Sequence, residues 1–187
     1  SKSEMIRKLK AKGFETSPYL EEILTGEFNG VSVNVGVGTN NNKVYRIFVQ
    51  DALPQSEGDI IIRFNRLCRQ FKENGKYLCL DDYTIPDGED VGYEMTVNNK
   101  RYEATYFQLP TDTAAFSNEL MTKILENYSQ EELNGMSDDE KQNLLQDVSF
   151  DLLSKRSVWF MIGDSYGSYR ILMYYDNGYN MANGEDL

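Results

Sequence analysis

Hydrophobic and polar residues alternate strictly between residues 31 and 38, where every second residue is valine. This period of two predicts a β-strand with one buried face. Segments 20–28 and 43–50 also have strand-forming composition, and the turn sequences Asn29-Gly30 and 39–42 separate the three segments. Because Asn-Gly between alternating segments is a strong hairpin signal, the pattern predicts consecutive antiparallel strands.

Helical periodicity precedes and follows these strands. Residues 3–12 predict a short helix that ends at Gly13, a residue suited to the position after a helix. Residues 59–73 predict a second helix, with Asp59 as its N-cap. The apolar stripe of this second helix indicates that one side of it is buried.

The middle of the chain continues with strand-like segments. Residues 76–83 predict a strand, and a polar turn follows it. Residues 93–109 have the form of a β-hairpin, with Asn98-Asn99 at the tip.

A long helical region begins at Pro110-Thr111 and is interrupted near Asn134-Gly135. It restarts at Ser137, which forms an S-x-x-E capping box with Glu140. Two strands, 157–162 and 168–175, then close the pattern.

This order of elements predicts an α+β fold. Strands that follow one another through short turns pair antiparallel, so we expect a mainly antiparallel sheet with the helices packed on one face. A helix followed by strands occurs twice, which indicates a loose duplication. We expect a single domain over residues 1–187, with halves 1–80 and 81–187 as the alternative division.

The segment Gly163-Asp164-Ser165-Tyr166-Gly167 matches the G-x-S-x-G pattern of a nucleophile elbow. An elbow needs a helix after the serine, whereas strand-forming residues follow here. The serine would also need a base, and the chain has neither a histidine nor an S-x-x-K spacing. We therefore interpret the segment as a hairpin turn and assign no catalytic residue.

The lack of histidine and the presence of only two cysteines also limit metal and thiol chemistry. Without histidine and with only Cys68 and Cys79, the usual zinc ligand sets cannot form, and we assign neither a metal nor a cofactor. The two cysteines are either free buried thiols, which we favour, or a disulfide between a helix and the next strand. An irregular calcium site is the other alternative, built from the carboxylates of Asp81, Asp82, Asp87, Glu89 and Asp90.

Composition and charge narrow the class of partner. The 187-residue chain has a net charge of -11, which disfavours nucleic acid as a partner. No apolar run approaches the roughly 18 residues of a membrane span. Basic residues crowd the first dozen positions, where we read a solvated helix face and keep an anion-binding helix as the alternative.

Aromatic residues cluster near the end of the chain. Along 168–175, odd-numbered residues point to one side of the predicted strand and even-numbered residues to the other. A solvent-facing row of such side chains would offer the rigid contact area that interfaces use, whereas the alternative is that these tyrosines flank the core. The candidate binding residues are Trp159, Tyr166, Tyr174, Tyr175 and Tyr179.

Both ends of the chain resemble a known group of proteins. The segments MIRKLKAKGFE, ILTGEFNGVSVNVGV, KVYRIFVQ, FNRLCRQFKENGKY and RILMYYDNGYNMANGEDL are similar to small uncharacterised exported proteins of gut bacteria. The resemblance implies an architecture like that of the beta-lactamase-inhibitor-like or PepSY-like folds. It also implies export to the periplasm or cell envelope, although the signal peptide and the F-x-G-I-P-I-x-G strand of those proteins are not in this sequence.

These observations lead to one preferred hypothesis. We expect an exported domain without enzymatic activity that binds a protein, peptide or glycan partner of the cell envelope through its sheet face. The alternatives are a hydrolase that uses paired carboxylates and a calcium-stabilised envelope protein. The sequence indicates no particular oligomeric state.

Overall fold

Eight antiparallel strands form one sheet in the computed structural model, which describes residues 1–182. The strands are β1 (Glu15–Thr16), β2 (Leu24–Phe28), β3 (Val31–Asn40), β4 (Lys43–Asp51), β5 (Tyr77–Cys79), β6 (Glu103–Gln108), β7 (Arg156–Ser165) and β8 (Ser168–Asn177). The α-helices are α1 (Lys2–Ala11), α2 (Glu57–Glu73), α3 (Val91–Val97), α4 (Thr113–Asn127), α5 (Gln130–Gly135) and α6 (Asp138–Ser154). The last five residues of the segment 170–187, which carries part of the resemblance, lie outside the described residues.

The strand order is β1-β2-β3-β4-β8-β7-β6-β5. Two meanders, β2-β3-β4 and β6-β7-β8, therefore meet where β4 pairs with β8. The prediction of an α+β fold with a mainly antiparallel sheet is confirmed. Both halves of the chain contribute strands to this one sheet. Among residues 1–182, no helix is long and apolar enough to cross a bilayer.

Tight turns connect the strands of these meanders. Asn29 and Gly30 both have positive φ values, 52° and 75°, as a type I′ hairpin turn requires. Tyr166 and Gly167, with φ values of 54° and 74°, form the same kind of turn between β7 and β8. The predicted hairpins at Asn29-Gly30 and at residues 163–167 are confirmed.

Helix α2 covers the centre of one sheet face, which we call the core face. Its buried residues recur at helical spacing and include Phe64 and Phe71. These rings pack with Tyr106 and Phe160 from the sheet, and the Phe64 and Phe160 ring centroids are 5.2 Å apart. The N-cap of α2 is Ser56, three residues before the predicted Asp59, because the Ser56 side chain accepts the Asp59 backbone N–H.

The one-face arrangement of the helices holds for α1, α2 and α3. Leu9 of α1 and Met95 of α3 pack against the same core cluster as α2. Helix α6 departs from this arrangement, since its Phe150 contacts Phe107 at a centroid distance of 5.2 Å. Phe107 follows Tyr106 in β6 and therefore points to the other face of the sheet.

The predicted hairpin over residues 93–109 is wrong in its first half. Residues 91–97 form α3, whose N-cap Asp90 accepts the Tyr93 backbone N–H. The fully buried Val91 and the partly buried Met95 lie on the core side of this helix, one turn apart. Packing of this pair against the core overrides the strand-like alternation of the segment. Asn99, with a positive φ of 53°, follows the end of the helix instead of turning a hairpin.

The helical region after Pro110 consists of three helices. Asp112 caps α4, and the predicted capping box of Ser137 and Glu140 opens α6 as expected. A second capping box, Ser129 with Glu132, opens the short α5 between them. These boxes explain the break near residue 135, because each one starts a new helix.

The Glu89 carboxylate connects the segment before α3 to the segment that leads into β6. It accepts hydrogen bonds from the Lys100 ammonium and from the hydroxyl of the buried Tyr102. These two donors, Lys100 first, hold the pKa of Glu89 below its usual value of 4.5. A lowered pKa in the folded state means that the ionised Glu89 stabilises the fold above pH 4.5, and that this contribution is lost as the pH falls through the lowered value.

We expect Glu89→Gln to lower the free energy of unfolding by about 1 kcal/mol at pH 7, because it weakens two hydrogen bonds to a partly exposed charge. The difference in unfolding free energy from the wild-type protein should be smaller at pH 3, where part of the wild-type carboxylate is protonated. Urea unfolding at both pH values measures this. Glu126→Gln removes the same charge from an exposed residue and serves as the control. A difference that is equal at both pH values would contradict the assignment.

Candidate functional site

A row of aromatic side chains crosses three neighbouring strands on the face opposite α2. Phe48 of β4 pairs with Tyr174 of β8, and Tyr174 pairs with Trp159 of β7. Paired residues point to the same side of a sheet, so the three side chains form one row. All three are partly exposed. We call this row, together with Arg46 and Asp176 beside it, the aromatic face.

The rings of Trp159 and Tyr174 stack on each other. Their centroids are 4.2 Å apart, with an angle of 19° between the ring planes. The Arg46 guanidinium lies 5.0 Å from the Tyr174 ring centroid and 5.7 Å from that of Trp159. These distances place the cation within the range of cation–π attraction to both rings.

Asp176 holds this arrangement in place. Its carboxylate accepts hydrogen bonds from Arg46 Nε at 2.6 Å and Nη2 at 2.8 Å, and from the indole Nε1 of Trp159 at 3.0 Å. The pairing with Asp176 raises the pKa of the Arg46 guanidinium. Because the bidentate pair fixes the guanidinium plane, the side chains of Arg46 and Trp159 are oriented before any partner arrives.

Glycines beneath the large side chains make the face flat. The ring of Phe48 lies over Gly36, where an added Cβ atom would overlap it. The side chain of Leu172 lies over Gly163, where a Cβ atom would come within 3.1 Å of Leu172 Cδ1. Because Gly36 and Gly163 have no side chains, Phe48 and Leu172 can lie flat against the sheet.

The structure brings together only two of the five candidate residues, Trp159 and Tyr174. Tyr166 is fully exposed at the tip of the β7–β8 hairpin. Tyr175 points to the core face, one residue away from Tyr174. Tyr179 lies in a 3-10 helix, Gly178–Asn180, and donates a hydrogen bond of 2.8 Å to Glu119. The alternation predicted along β8 is confirmed by its buried residues, Tyr169, Ile171 and Met173.

Sequence reasoning missed Arg46, Phe48 and Asp176. The alternation of residues 43–50 places Arg46 and Phe48 on one side of a strand, so the sequence does contain part of this signal. What it does not contain is the pairing of β4 with β8, which joins residues 130 positions apart, such as Arg46 and Asp176.

The charge of the aromatic face differs from that of the chain. On β3, β4, β8 and β7, this side carries Arg46, Arg170 and a single carboxylate, Asp176. That carboxylate is already bound by Arg46 and Trp159. The face is therefore neutral to slightly positive, in a chain whose net charge is -11.

The two cysteines are free thiols in the structure. Burial raises the pKa of Cys68 to about 11, which lowers its reactivity as a nucleophile. The Cys79 thiol is partly buried and donates a hydrogen bond to the Asp81 carbonyl at 2.9 Å.

The acidic segment considered for calcium forms other contacts. Asp82 accepts hydrogen bonds from Thr84 and Lys72, which lower its pKa to about 2, and Asp90 caps α3. Within residues 1–182, no group of three or more His, Cys, Asp or Glu side chains is arranged to hold a metal ion.

A hydrolase that uses paired carboxylates needs one carboxyl group with a raised pKa. In the part of the chain that the structure describes, the carboxyl groups with shifted pKa values are all shifted downward, each by a hydrogen-bond donor. The groups are Glu4, Asp82, Glu89, Glu132, Glu140 and Asp151.

Comparison with protein-family models, with curated proteins and with solved structures finds no match to this chain. The aromatic face is therefore interpreted from its own geometry.

Proposed function

We propose that this chain is an exported, non-enzymatic domain that binds a protein partner through the aromatic face. The observation that carries the proposal is the Arg46–Asp176–Trp159–Tyr174 assembly, which is oriented and partly exposed. Neither Trp159 nor Tyr174 belongs to the buried core cluster that α2 covers.

The residue types of the assembly support a protein partner. Tryptophan, tyrosine and arginine are the side chains that most often dominate binding energy at protein interfaces. A rigid arrangement adds affinity because little side-chain entropy remains to be lost on binding. The bidentate contact between Arg46 and Asp176 provides this rigidity.

Ring accessibility favours a protein over a glycan. A sugar ring binds best on an open aromatic face, whereas Trp159 and Tyr174 stack on each other and Arg46 lies over both rings. The assembly presents ring edges and a guanidinium group, which suit the mixed surface of a protein.

Charge indicates the kind of protein surface that fits. The aromatic face is the neutral to slightly positive part of an acidic chain. A partner with an apolar patch bordered by carboxylates would meet Arg170 and Arg46 there and would be repelled elsewhere. Export and a likeness to inhibitor-like folds rest on the resemblance of the terminal segments, and they make a protein of the cell envelope the expected partner.

The proposal is tested by affinity capture from the envelope fraction of the source organism. The baits are the wild-type domain, Trp159→Ala/Tyr174→Ala and Tyr166→Ala. We expect a captured protein to be retained by the wild type and by Tyr166→Ala, which removes a fully exposed aromatic side chain outside the face. The double variant should bind the purified partner about 10- to 100-fold more weakly.

One further bait makes the result specific. Gly36→Ala keeps every aromatic side chain but pushes Phe48 out of its place, so it should weaken the same complex. Equal capture by all variants would overturn the assignment of this face. Binding of the wild-type domain to envelope polysaccharide, lost in the double variant, would replace the protein partner with a glycan.

A further inference from the structure

A cavity of about 370 Å³ lies on the core face, between α1 and the ends of β4, β7 and β8 nearest Lys43 and Asn177. Its floor is on the opposite side of the sheet from the aromatic rings, because Tyr175 lines it and Tyr174 does not, and Asp176 is the one residue that both surfaces share. Tyr175, a candidate binding residue that is not part of the aromatic face, therefore lies in this cavity.

The floor of the cavity is apolar. Ile47, Tyr175 and Val158 occupy neighbouring positions on β4, β8 and β7, and Met5 of α1 lines the cavity from the helix side. These side chains offer an aliphatic and aromatic surface that a hydrophobic body can cover.

The border of the cavity carries two lysines and two carboxylates. Lys8 of α1 and Lys43 at the start of β4 both line it. Of the two carboxylates nearby, Glu4 pairs with Lys8 at 3.1 Å, and Asp176 is bound by Arg46 on the other face. Lys43 forms no ion pair within residues 1–182. An anion at this border would therefore meet an ammonium group that has no competing carboxylate.

Tyr175 adds a hydrogen-bond donor. Among the described residues its hydroxyl has no hydrogen-bond partner, although most of the ring is covered by neighbours. Burial raises the pKa of Tyr175, so the hydroxyl keeps its proton and can donate to an acceptor in the cavity. Because no buried side-chain oxygen or nitrogen within residues 1–182 lacks a hydrogen-bond partner, this hydroxyl is within reach of water, and a ligand acceptor would replace that water.

We propose that this cavity binds a small carboxylate with an apolar body, such as an aryl or branched aliphatic acid. The body covers Ile47, Val158 and Met5, while the carboxylate accepts hydrogen bonds from Lys43 and Tyr175. Charge-assisted hydrogen bonds of this kind set the preference for an anion. The site is independent of the protein partner proposed above, since it uses the other face of the sheet.

The test uses phenylacetate as the probe, with phenylacetamide as the uncharged control of the same shape. Titration followed by two-dimensional ¹H–¹⁵N spectra should show saturable shifts at backbone amides of Val44, Ile47 and Val158 for phenylacetate. Phenylacetamide should bind at least tenfold more weakly. No saturable shift from phenylacetate at millimolar concentration, or equal binding of both probes, would overturn the proposal.

Variants of Lys43 and Tyr175 test whether these two residues contact the carboxylate of phenylacetate. Lys43→Met keeps the length of the side chain and should weaken phenylacetate binding about tenfold, whereas Tyr175→Phe should weaken it several-fold. Lys10→Met removes an equivalent charge from α1 away from the cavity and should leave the affinity unchanged. An effect of Lys10→Met as large as that of Lys43→Met would show general charge attraction instead of a site. Trp159→Ala/Tyr174→Ala should bind phenylacetate normally, which separates this site from the aromatic face.

Discussion

Replacing Arg63 with methionine should lower the free energy of unfolding by about 3–5 kcal/mol, because it leaves the Asp51 carboxylate buried without its cation. Asp51 and Arg63 are 2% and 5% exposed. Two guanidinium nitrogens of Arg63 donate to Asp51, with Nη2 to Oδ1 at 2.7 Å. Gln55 and the backbone N–H of Ile171 also donate to this carboxylate, so it joins β4, α2 and β8.

The double variant Asp51→Asn/Arg63→Met tests the cause. Asparagine can still accept the Ile171 N–H but carries no charge, so the double variant should be more stable than Arg63→Met alone. The control is Lys72→Met, which breaks the exposed pair with Asp82, where both side chains are 57% exposed, and should hardly change stability. Urea unfolding of the four proteins measures these differences. If Arg63→Met is no more harmful than Lys72→Met, the buried pair does not have this role.

Replacing Phe160 with alanine should cost about 3–5 kcal/mol of unfolding free energy. Phe160 is fully buried on β7, and its ring contacts the rings of Phe64, Phe71 and Tyr106. Removal of this ring leaves a cavity between α2 and the sheet, and the rings around it cannot close the space without moving the helix. Urea unfolding gives the loss, and an unchanged dependence on urea would indicate that the same fold is being compared.

The matched control for Phe160 is Phe150→Ala. Phe150 is 45% exposed on α6 and packs edge-on against Phe107, so its ring already contacts water. Its replacement should cost much less than that of Phe160. Comparable losses in the two variants would mean that α6 carries as much of the stability as the contact of α2 with the sheet.

Local chemistry made two hairpin turns and the start of α6 predictable. The type I′ turn at Asn29-Gly30 and the capping box at Ser137 depend on neighbours within four residues, and both occur as the sequence predicts. Helix α3 was not predictable in this way. Its residues alternate like a strand, and the segment becomes a helix because Val91 and Met95 pack together against the core.

The candidate site was also predictable only in part. The sequence named Trp159 and Tyr174 as candidate binding residues and separated the two sides of β8 correctly, but it left open which side faces solvent. It could not tell which of Tyr174 and Tyr175 lies on the buried side, because that depends on which side α2 covers. Nor could it find Arg46 and Asp176 as partners, since their contact requires β4 and β8 to be neighbours.

The sequence by itself therefore determined the turns at Asn29-Gly30 and at residues 163–167, the capping box at Ser137, the two-sided character of the strands and the acidic, histidine-free composition of this protein. The tertiary structure alone decided that β4 pairs with β8, that α2 covers one face, and that Arg46 and Asp176 order the rings on the other. The physical reason is the distance along the chain between the residues that interact. Turns and caps are set by hydrogen bonds between near neighbours, whereas strand order and burial depend on how the whole chain shares one core.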